Sequence, residues 1–376
     1  MAKRLPVTVI TGFLGAGKTT VLRHLLTRGG QRLAVMVNEF GSVGLDGDLI
    51  RSCGFCPEED VDGRLVELNN GCLCCTVQDD FLPTMETLLE RADQLDGIVV
   101  ETSGLALPRP LLQALDWPAI RSRVHVNGVV TLVDGEALAA GSPVADAEAL
   151  ERQRAEDPSL DHLTAIDDLF EDQLQAADLV LISRADCLDA SAMAEVQGRI
   201  KDKVRPGTAL LPVSQGQVET SVVLGLEHKP THHTHHDRDH DHDHDHDHDH
   251  HDHDHHDHSH VEMLGSNVRV EGALDRQALE HLLPNLVSDH QVVRLKGRVW
   301  LPSKTLPLQI QMVGPRLNSW FEAAPSHAWR PDQGCGADLV VLALNKAAAS
   351  AVESSLQRLV QATPAKASPA AATPDS

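Results

Sequence analysis

The chain has 376 residues, more than one compact core of ordinary size, so two domains are the starting expectation. Hydrophobic residues make up 41% and charged residues 23%, a globular balance, and no uncharged apolar run approaches the ~18 residues of a membrane span. A net charge of −23, with 6 Phe, 4 Trp and no Tyr, argues against partners that are nucleic acids, whether held by phosphate contacts or by base stacking.

Residues 7–10, Val-Thr-Val-Ile, follow a basic start but are too short for a secretory core, and no Ala-x-Ala site follows. They read as a buried first strand of a cytoplasmic protein. A helix is expected over 19–28, ended by Gly29-Gly30, then strands at 33–37 and 65–68, a helix over 79–91 and a strand at 97–100. Apolar runs at 126–133 and 178–182 continue the set. Short β-branched runs separated by helix-length segments indicate βαβ units, so the first part reads as α/β with a mainly parallel sheet. Ten acidic residues between Asp146 and Asp172, with leucines at helical spacing, suggest a solvated helical insertion.

After Leu226 the composition changes. Sixteen of the 23 histidines lie between His232 and His260, alternating with ten aspartates and one arginine. With neutral imidazoles that tract carries −9, leaving −14 for the rest. It holds no apolar residue to bury and reads as a disordered linker. Beyond it, strands are expected at 268–270, 292–295, 308–313 and 338–342, with helices over 275–283 and 346–359. That is a smaller α+β domain, one sheet backed by helices. The expected division is therefore 1–226, a linker 227–261, 262–362, and a Pro- and Ala-rich disordered tail 363–376.

Gly12-Phe13-Leu14-Gly15-Ala16-Gly17-Lys18-Thr19 fits G-x-x-x-x-G-K-[ST] at every fixed position, a match expected by chance on the order of once in a hundred chains of this length. The preceding strand and following helix are the required context. Glycines let backbone N–H groups turn inward around phosphate oxygens, and the helix N-terminus adds a positive end. Lys18 would reach the β- and γ-phosphates, the Thr19 hydroxyl would ligate Mg²⁺, and Thr20 next to it is a further nucleotide-binding candidate. Downstream, Glu101-Thr102-Ser103-Gly104 ends a strand, where a nucleotide hydrolase keeps a carboxylate for Mg²⁺ or its water and an N–H for the γ-phosphate. Ser183-Arg184-Ala185-Asp186 ends another strand and resembles the guanine-reading N-K-x-D element, with Ser and Arg in place of Asn and Lys.

Five of the seven cysteines fall between Cys53 and Cys75, a clustering that suits a metal or redox site better than a disulfide framework. Cys72-Leu73-Cys74-Cys75 follows the turn Asn69-Asn70-Gly71 and is expected at a strand–helix connection, where a helix N-terminus would favour thiolates. Cys53-Gly54-Phe55-Cys56 has no matching second pair and is the weaker signal. Cys187 and Cys335 stand alone and read as structural.

These segments, with Asn38-Glu39-Phe40-Gly41 and Asn70-Gly71 before the cysteine run, resemble the CobW family of metallochaperone GTPases, whose layout also includes a His-rich linker and a C-terminal α+β domain. Glu101 to Pro108, Phe170-Glu171-Asp172-Gln173-Leu174 and Val293-Arg294-Leu295-Lys296-Gly297 resemble the branch that serves cobalamin biosynthesis. The resemblance implies a P-loop GTPase using GTP and Mg²⁺. It implies that Cys72, Cys74 and Cys75, with Glu39 beside them, hold Co²⁺ and pass it to the aerobic cobaltochelatase. Relatives that serve zinc enzymes make Zn²⁺, and another metalloenzyme client, the alternative. Thiolates do not separate the two ions, and the Irving–Williams order favours zinc at equal availability. A passive metal store built on the His/Asp tract is a further alternative, and a homodimer is compatible with the sequence.

Overall fold

The computed structural model describes residues 4–28, 31–38, 66–67, 73–76, 81–102, 104–146, 148, 150, 166–225 and 263–362. Strand β1 (Leu5–Gly12) is buried along its whole length, as the central strand of a sheet covered on both faces must be. It feeds helix α1 (Lys18–Arg28) and then strand β2 (Leu33–Asn38). Next come β3 (Val66–Glu67), β4 (Leu73–Thr76), α2 (Phe81–Glu90), β5 (Gly97–Thr102), α3 (Pro108–Leu115) and β6 (Val124–Asp134). Helices α4 (Gly135–Ala139) and α5 (Ile166–Ala176), β7 (Leu179–Ser183), α6 (Ala190–Lys201), β8 (Ala209–Pro212) and α7 (Thr220–Leu224) complete this part.

The eight strands lie in the order β3-β4-β2-β5-β1-β6-β7-β8. Every neighbouring pair is parallel except β3 against β4. The chain leaves β1 toward β2 on one side and later adds β6 on the other, so β1 sits where the connections diverge, the usual place for a ligand at the carboxyl edge. Val21, Leu22 and Leu25 of α1 cover one part of the sheet, while Met85, Leu88 and Leu89 of α2 and Leu169, Phe170 and Leu174 of α5 cover others.

Two expectations are corrected here. Helix α5 is no solvated insertion: its apolar side is buried, and 151–165 lie outside the described residues. Cys74 and Cys75 do not sit on a strand–helix connection either. They are inside β4, paired in parallel register with Val35 and Met36, because the ladder with β2 satisfies their backbone groups. Strand β8 and helices α3 and α6 were not anticipated from the sequence. Asp134 and Asp189 start α4 and α6 by accepting from Ala137 N and Ala192 N.

The second domain is a five-stranded antiparallel sheet in the order β12-β11-β10-β13-β9, formed by β9 (Leu264–Glu271), β10 (Val292–Trp300), β11 (Leu308–Val313), β12 (Arg316–Phe321) and β13 (Gly336–Ala343). Helices α8 (Arg276–His290) and α9 (Ala348–Ala362) pack on one face through Leu279, Leu283, Val352 and Leu356. Helix α8 continues past Pro284, where a stop is expected from the sequence, because Leu286 and Val287 extend its buried stripe. Strand β12 is the addition to the expected four.

The other face of that sheet docks on β6, α7 and the segment before β7. Arg294 of β10 is buried and donates to the carbonyls of Val222 and Val223 and to Asn127 Oδ1. Burial lowers its proton affinity while Asp178 pushes the other way. Asp178, wholly buried, accepts from Val129 N at 2.8 Å and pairs with both Arg205 and Arg316. Asn318 Nδ2 donates to Val126 O at 2.8 Å, and the Trp320 ring lies 4.8 Å from that of His125. Val293 and Val313 join the core cluster of the first domain, so the two domains share one continuous apolar contact.

Candidate nucleotide and metal site

The loop from Gly12 to Gly17 turns back over the end of β1 with Gly12, Gly15 and Gly17 at φ of +136°, +78° and +94°. No L side chain holds such angles cheaply, so the glycines are what allow this path. A Cβ on Gly15 would meet nothing within 4 Å, leaving open space on that side of the loop. Lys18 is buried, and its Nζ donates to Gly12 O at 2.7 Å and Phe13 O at 3.0 Å. A buried ammonium at the start of an 11-residue helix, beside the helix's positive end, places two sources of positive potential where an anion would sit.

Glu101, buried near the end of β5, accepts from Thr19 Oγ1 at 3.2 Å. That contact gathers hard oxygen donors beside the loop, a set suited to Mg²⁺. Thr102 Oγ1 donates to Thr11 Oγ1 at 2.9 Å, tying β5 to β1 just below. Gly104 lies against the loop so closely that a Cβ there would be 2.7 Å from Leu14 N.

At the other end, Ser183 touches the space beside Gly17, whose ideal Cβ would be 3.6 Å from Ser183 Cβ, and its Oγ donates to Val133 O. Arg184 adopts φ +54° and points its guanidinium to Asp134 Oδ2 at 2.7 Å, with Glu136 at 3.6 Å. Asp186 is exposed on the short turn Ala185–Cys187. Cys187 is exposed too, so it fills no core position, and Cys335 is half-buried. One segment here was not singled out in the sequence. Ser214-Gln215-Gly216 follows β8, with Gln215 and Gly216 at positive φ, and a Cβ on Gly216 would be 3.0 Å from the Thr20 carbonyl carbon. Ala185 N donates to Val213 O, so this loop and the Asp186 turn form one rim around Thr20. A short apolar run ending in Ser-Gln-Gly was the available signal, since any strand of a parallel sheet delivers its loop to the carboxyl edge.

Glu39, Cys72, Cys53 and Cys56 lie outside the described residues, and so does the His/Asp tract. Of the C-x-C-C run, the backbone of Cys74 and Cys75 is described. Strand β4 is three strand spacings from β1, about 14 Å, with β2 and β5 between. Both strands end at the same carboxyl edge. Among the described residues no group of three metal-binding side chains converges.

The family description "CobW/HypB/UreG, nucleotide-binding domain" matches residues 6–212, and "Cobalamin synthesis protein cobW C-terminal domain" matches 265–360. The chain belongs to the CobW family. It is thus a P-loop GTPase with a C-terminal antiparallel-sheet domain. It is 44% identical over 349 residues to "Zinc chaperone CobW" of Pseudomonas aeruginosa, covering 90% of this chain and 87% of that one. It is 41% identical over 369 residues to "Zinc chaperone CobW" of a Sinorhizobium species, covering 95% and 98%. "Zinc-regulated GTPase metalloprotein activator 1" of Schizosaccharomyces pombe is 45% identical over 138 residues, 35% of this chain and 32% of that one.

Proposed function

We propose that the chain is a GTP-dependent metallochaperone whose cargo is Zn²⁺, handed to a metal-requiring client protein in the cytoplasm. The observation that carries this reading is the near full-length similarity to two proteins named zinc chaperones. The geometry of the phosphate loop supplies its nucleotide half.

In this reading the backbone N–H groups of Gly15, Ala16, Gly17 and Lys18 line the phosphates. The Lys18 ammonium exchanges the carbonyls of Gly12 and Phe13 for phosphate oxygens, a stronger charge-assisted partner. Thr19 and Glu101 would hold Mg²⁺, directly and through water. The ion, when bound, neutralises charge on the transferring phosphoryl group. Gly104 offers its N–H to the γ-phosphate side, while Thr20, Ser183, Arg184, Asp186 and the 214–216 loop surround the rest of the nucleotide. Asp186, exposed and pointing to solvent, accepts from the guanine edge. Arg184, in place of the usual lysine, has its guanidinium engaged by Asp134 at the base of this rim.

Cys72, Cys74 and Cys75, with Glu39, hold the transferred ion as cargo. Strand β4, which carries Cys74 and Cys75, ends at the same sheet edge as the phosphate loop, and the segment between β2 and β3 lies between the two sites in sequence. Delivery of Co²⁺ to a cobaltochelatase remains the second reading, favoured by the match of 265–360 to a domain named for cobalamin synthesis.

The test is a competition titration of Zn²⁺ and Co²⁺ against a chromophoric chelator, with the full chain in Mg-GTP-analogue and Mg-GDP forms. Tighter Zn²⁺ binding in the triphosphate form, lost in Cys74→Ser/Cys75→Ser with nucleotide affinity intact, is expected. Equal affinity in both nucleotide forms would overturn the switch. Transfer to an apo cobaltochelatase but to no zinc client would replace zinc by cobalt.

A further inference from the structure

We propose that Gln173 is a positioning residue for GTP hydrolysis: it fixes the Gly104–Ala106 segment against the phosphate loop. Gln173 lies on α5, outside every element of the nucleotide site described above, and is buried to 1% exposure. Its Nε2 donates to Gly104 O at 3.2 Å and to Ala106 O at 3.4 Å. Two carbonyl acceptors settle which end of the amide faces the loop, because the reversed amide would set oxygen against oxygen. Its Oε1 has no hydrogen-bond partner among the described residues, so the side chain's described bonds all serve this one segment.

The anchor is itself held. Thr131 Oγ1 of β6 donates to the Gln173 carbonyl at 3.2 Å, and Leu174 beside it is fully buried. One turn earlier Phe170 meets Phe13 of the phosphate loop with ring centroids 6.0 Å apart. Arg109 at the start of α3 reaches Asp172 at 3.7 Å, so the segment is tied to α5 beyond Ala106 as well. Helix α5 therefore grips both the phosphate loop and the strand-end segment, and Gln173 is its polar contact with the latter.

The consequence follows from peptide planarity. Holding Gly104 O toward α5 turns the N–H of Leu105, in the same peptide, the opposite way, and holding Ala106 O does the same for the N–H of Leu107 two peptides on. A bidentate amide thus fixes the rotation of a glycine-containing segment that would otherwise be free to turn. Its aim matters because Gly104 sits 2.7 Å, counted from a built Cβ, from the backbone of Leu14. The inference rests on the proposed part of Gly104 at the γ-phosphate.

The test uses Gln173→Ala and Gln173→Glu in the full chain, with GTP hydrolysis measured across substrate concentration and pH. Gln173→Ala should lower kcat by about 10- to 100-fold, the scale of a misplaced catalytic group. KM and GDP affinity should stay within about twofold, since the ground-state cradle is untouched. In Gln173→Glu a carboxylate faces two carbonyls at neutral pH, so the segment is repelled. The protonated carboxyl can again donate to one of them. Burial raises the carboxyl pKa, so activity relative to wild type should recover as pH falls. A role confined to stability would lower the melting temperature without moving kcat at temperatures well below it, and without that pH recovery. Unchanged kcat in both variants would overturn the proposal. If Gln173→Ala does not fold, the pH profile of Gln173→Glu decides alone. Loss of GDP affinity in the variants would also count against it, placing Gln173 in nucleotide binding. Unchanged GTP hydrolysis and GDP binding in Gly104→Ala would instead remove the assumed part of Gly104.

Discussion

Replacing Gly104 with alanine tests the contact between the β5 segment and the phosphate loop. An alanine Cβ would stand 2.7 Å from Leu14 N, 3.2 Å from Leu14 Cα and 3.3 Å from Leu14 Cβ. Ordinary contact begins near 3.4 Å, so the overlap is about 0.7 Å, and most of it falls on backbone that no rotamer change can move. Overpacking of this kind costs about 1–3 kcal/mol. In a domain of this size that lowers the melting temperature by roughly 2–4 °C for each kcal/mol. If the loop yields rather than absorbing the strain, Leu14 moves by a sizeable fraction of an ångström beside the reacting phosphate, and kcat falls by about 10- to 100-fold. Single-turnover GTP hydrolysis and fluorescent-nucleotide binding, run beside a melting curve, separate these effects. GDP affinity should change less than GTP-analogue affinity, because the contact lies beside the segment assigned to the γ-phosphate. Wild-type hydrolysis and stability in Gly104→Ala would show that the segment is not seated against the loop, and the site geometry would be wrong.

Gly198 provides the opposite case: it is exposed inside α6 with nothing within 4 Å of a built Cβ, so Gly198→Ala should stabilise by about 0.5–1 kcal/mol and leave hydrolysis unchanged, as read by chemical denaturation and phosphate release. Asp178→Asn should destabilise by about 3 kcal/mol, because Arg205 and Arg316 lose their shared carboxylate, and denaturation should lose cooperativity between the two domains. Lys18→Ala should abolish nucleotide binding in equilibrium titration, and normal GTP turnover in that variant would contradict the phosphate-loop assignment. Deleting 232–260 should reduce the number of weakly bound Zn²⁺ ions in equilibrium dialysis while keeping one nucleotide-dependent ion, whereas loss of that ion would favour the storage reading.

The phosphate loop was legible because its chemistry demands fixed residue types at fixed spacing. Gly12, Gly17, Lys18 and Thr19 admit few substitutes, and the strand before them is wholly buried and mostly apolar. Strands β1, β2, β5, β6 and β7 were legible for a related reason, since burial on both faces leaves short, nearly continuous apolar runs rich in Val, Ile and Leu. Strand β8 escaped because Ala209-Leu210-Leu211-Pro212 is short and half-buried, and with it went the 214–216 loop. Strand β12 escaped because Arg316-Leu317-Asn318-Ser319-Trp320-Phe321 is half-buried throughout and spends its polar residues on the domain junction, where Asn318 and Arg316 find partners distant in sequence. Gln173 appeared only as part of a family-like string. Its meaning depends on carbonyls nearly seventy positions away, which no local pattern encodes.

The separation of the two halves of the site sets what a coupling mechanism has to accomplish. Strand β4 is about 14 Å from β1, with two strands between them, so the phosphate loop at the end of β1 is not itself in contact with the strand that carries Cys74 and Cys75. The two strands between them are held rigidly: β5 is fixed to β1 through Thr102 and Thr11, and β2 is paired with β5 from Leu33 to Asn38. A sheet so laddered does not transmit a signal by sliding its strands, because one step of register would move every side chain to the opposite packed face. The proposed coupling must therefore run along the edge, through the connection after Asn38 and the segment after Glu101, rather than through the sheet. By linkage, a triphosphate that tightens metal binding through those connections must itself be bound more tightly, by the same factor, when the metal is present. Measured on one preparation, the two factors have to agree. A metal effect on GTP-analogue affinity that is absent, while the nucleotide effect on metal affinity is present, is thermodynamically inadmissible for a single folded chain. It would mean that the metal counted in the titration is held by the free nucleotide's own phosphates, or that one titration had not reached equilibrium, and a nucleotide-only control decides between the two.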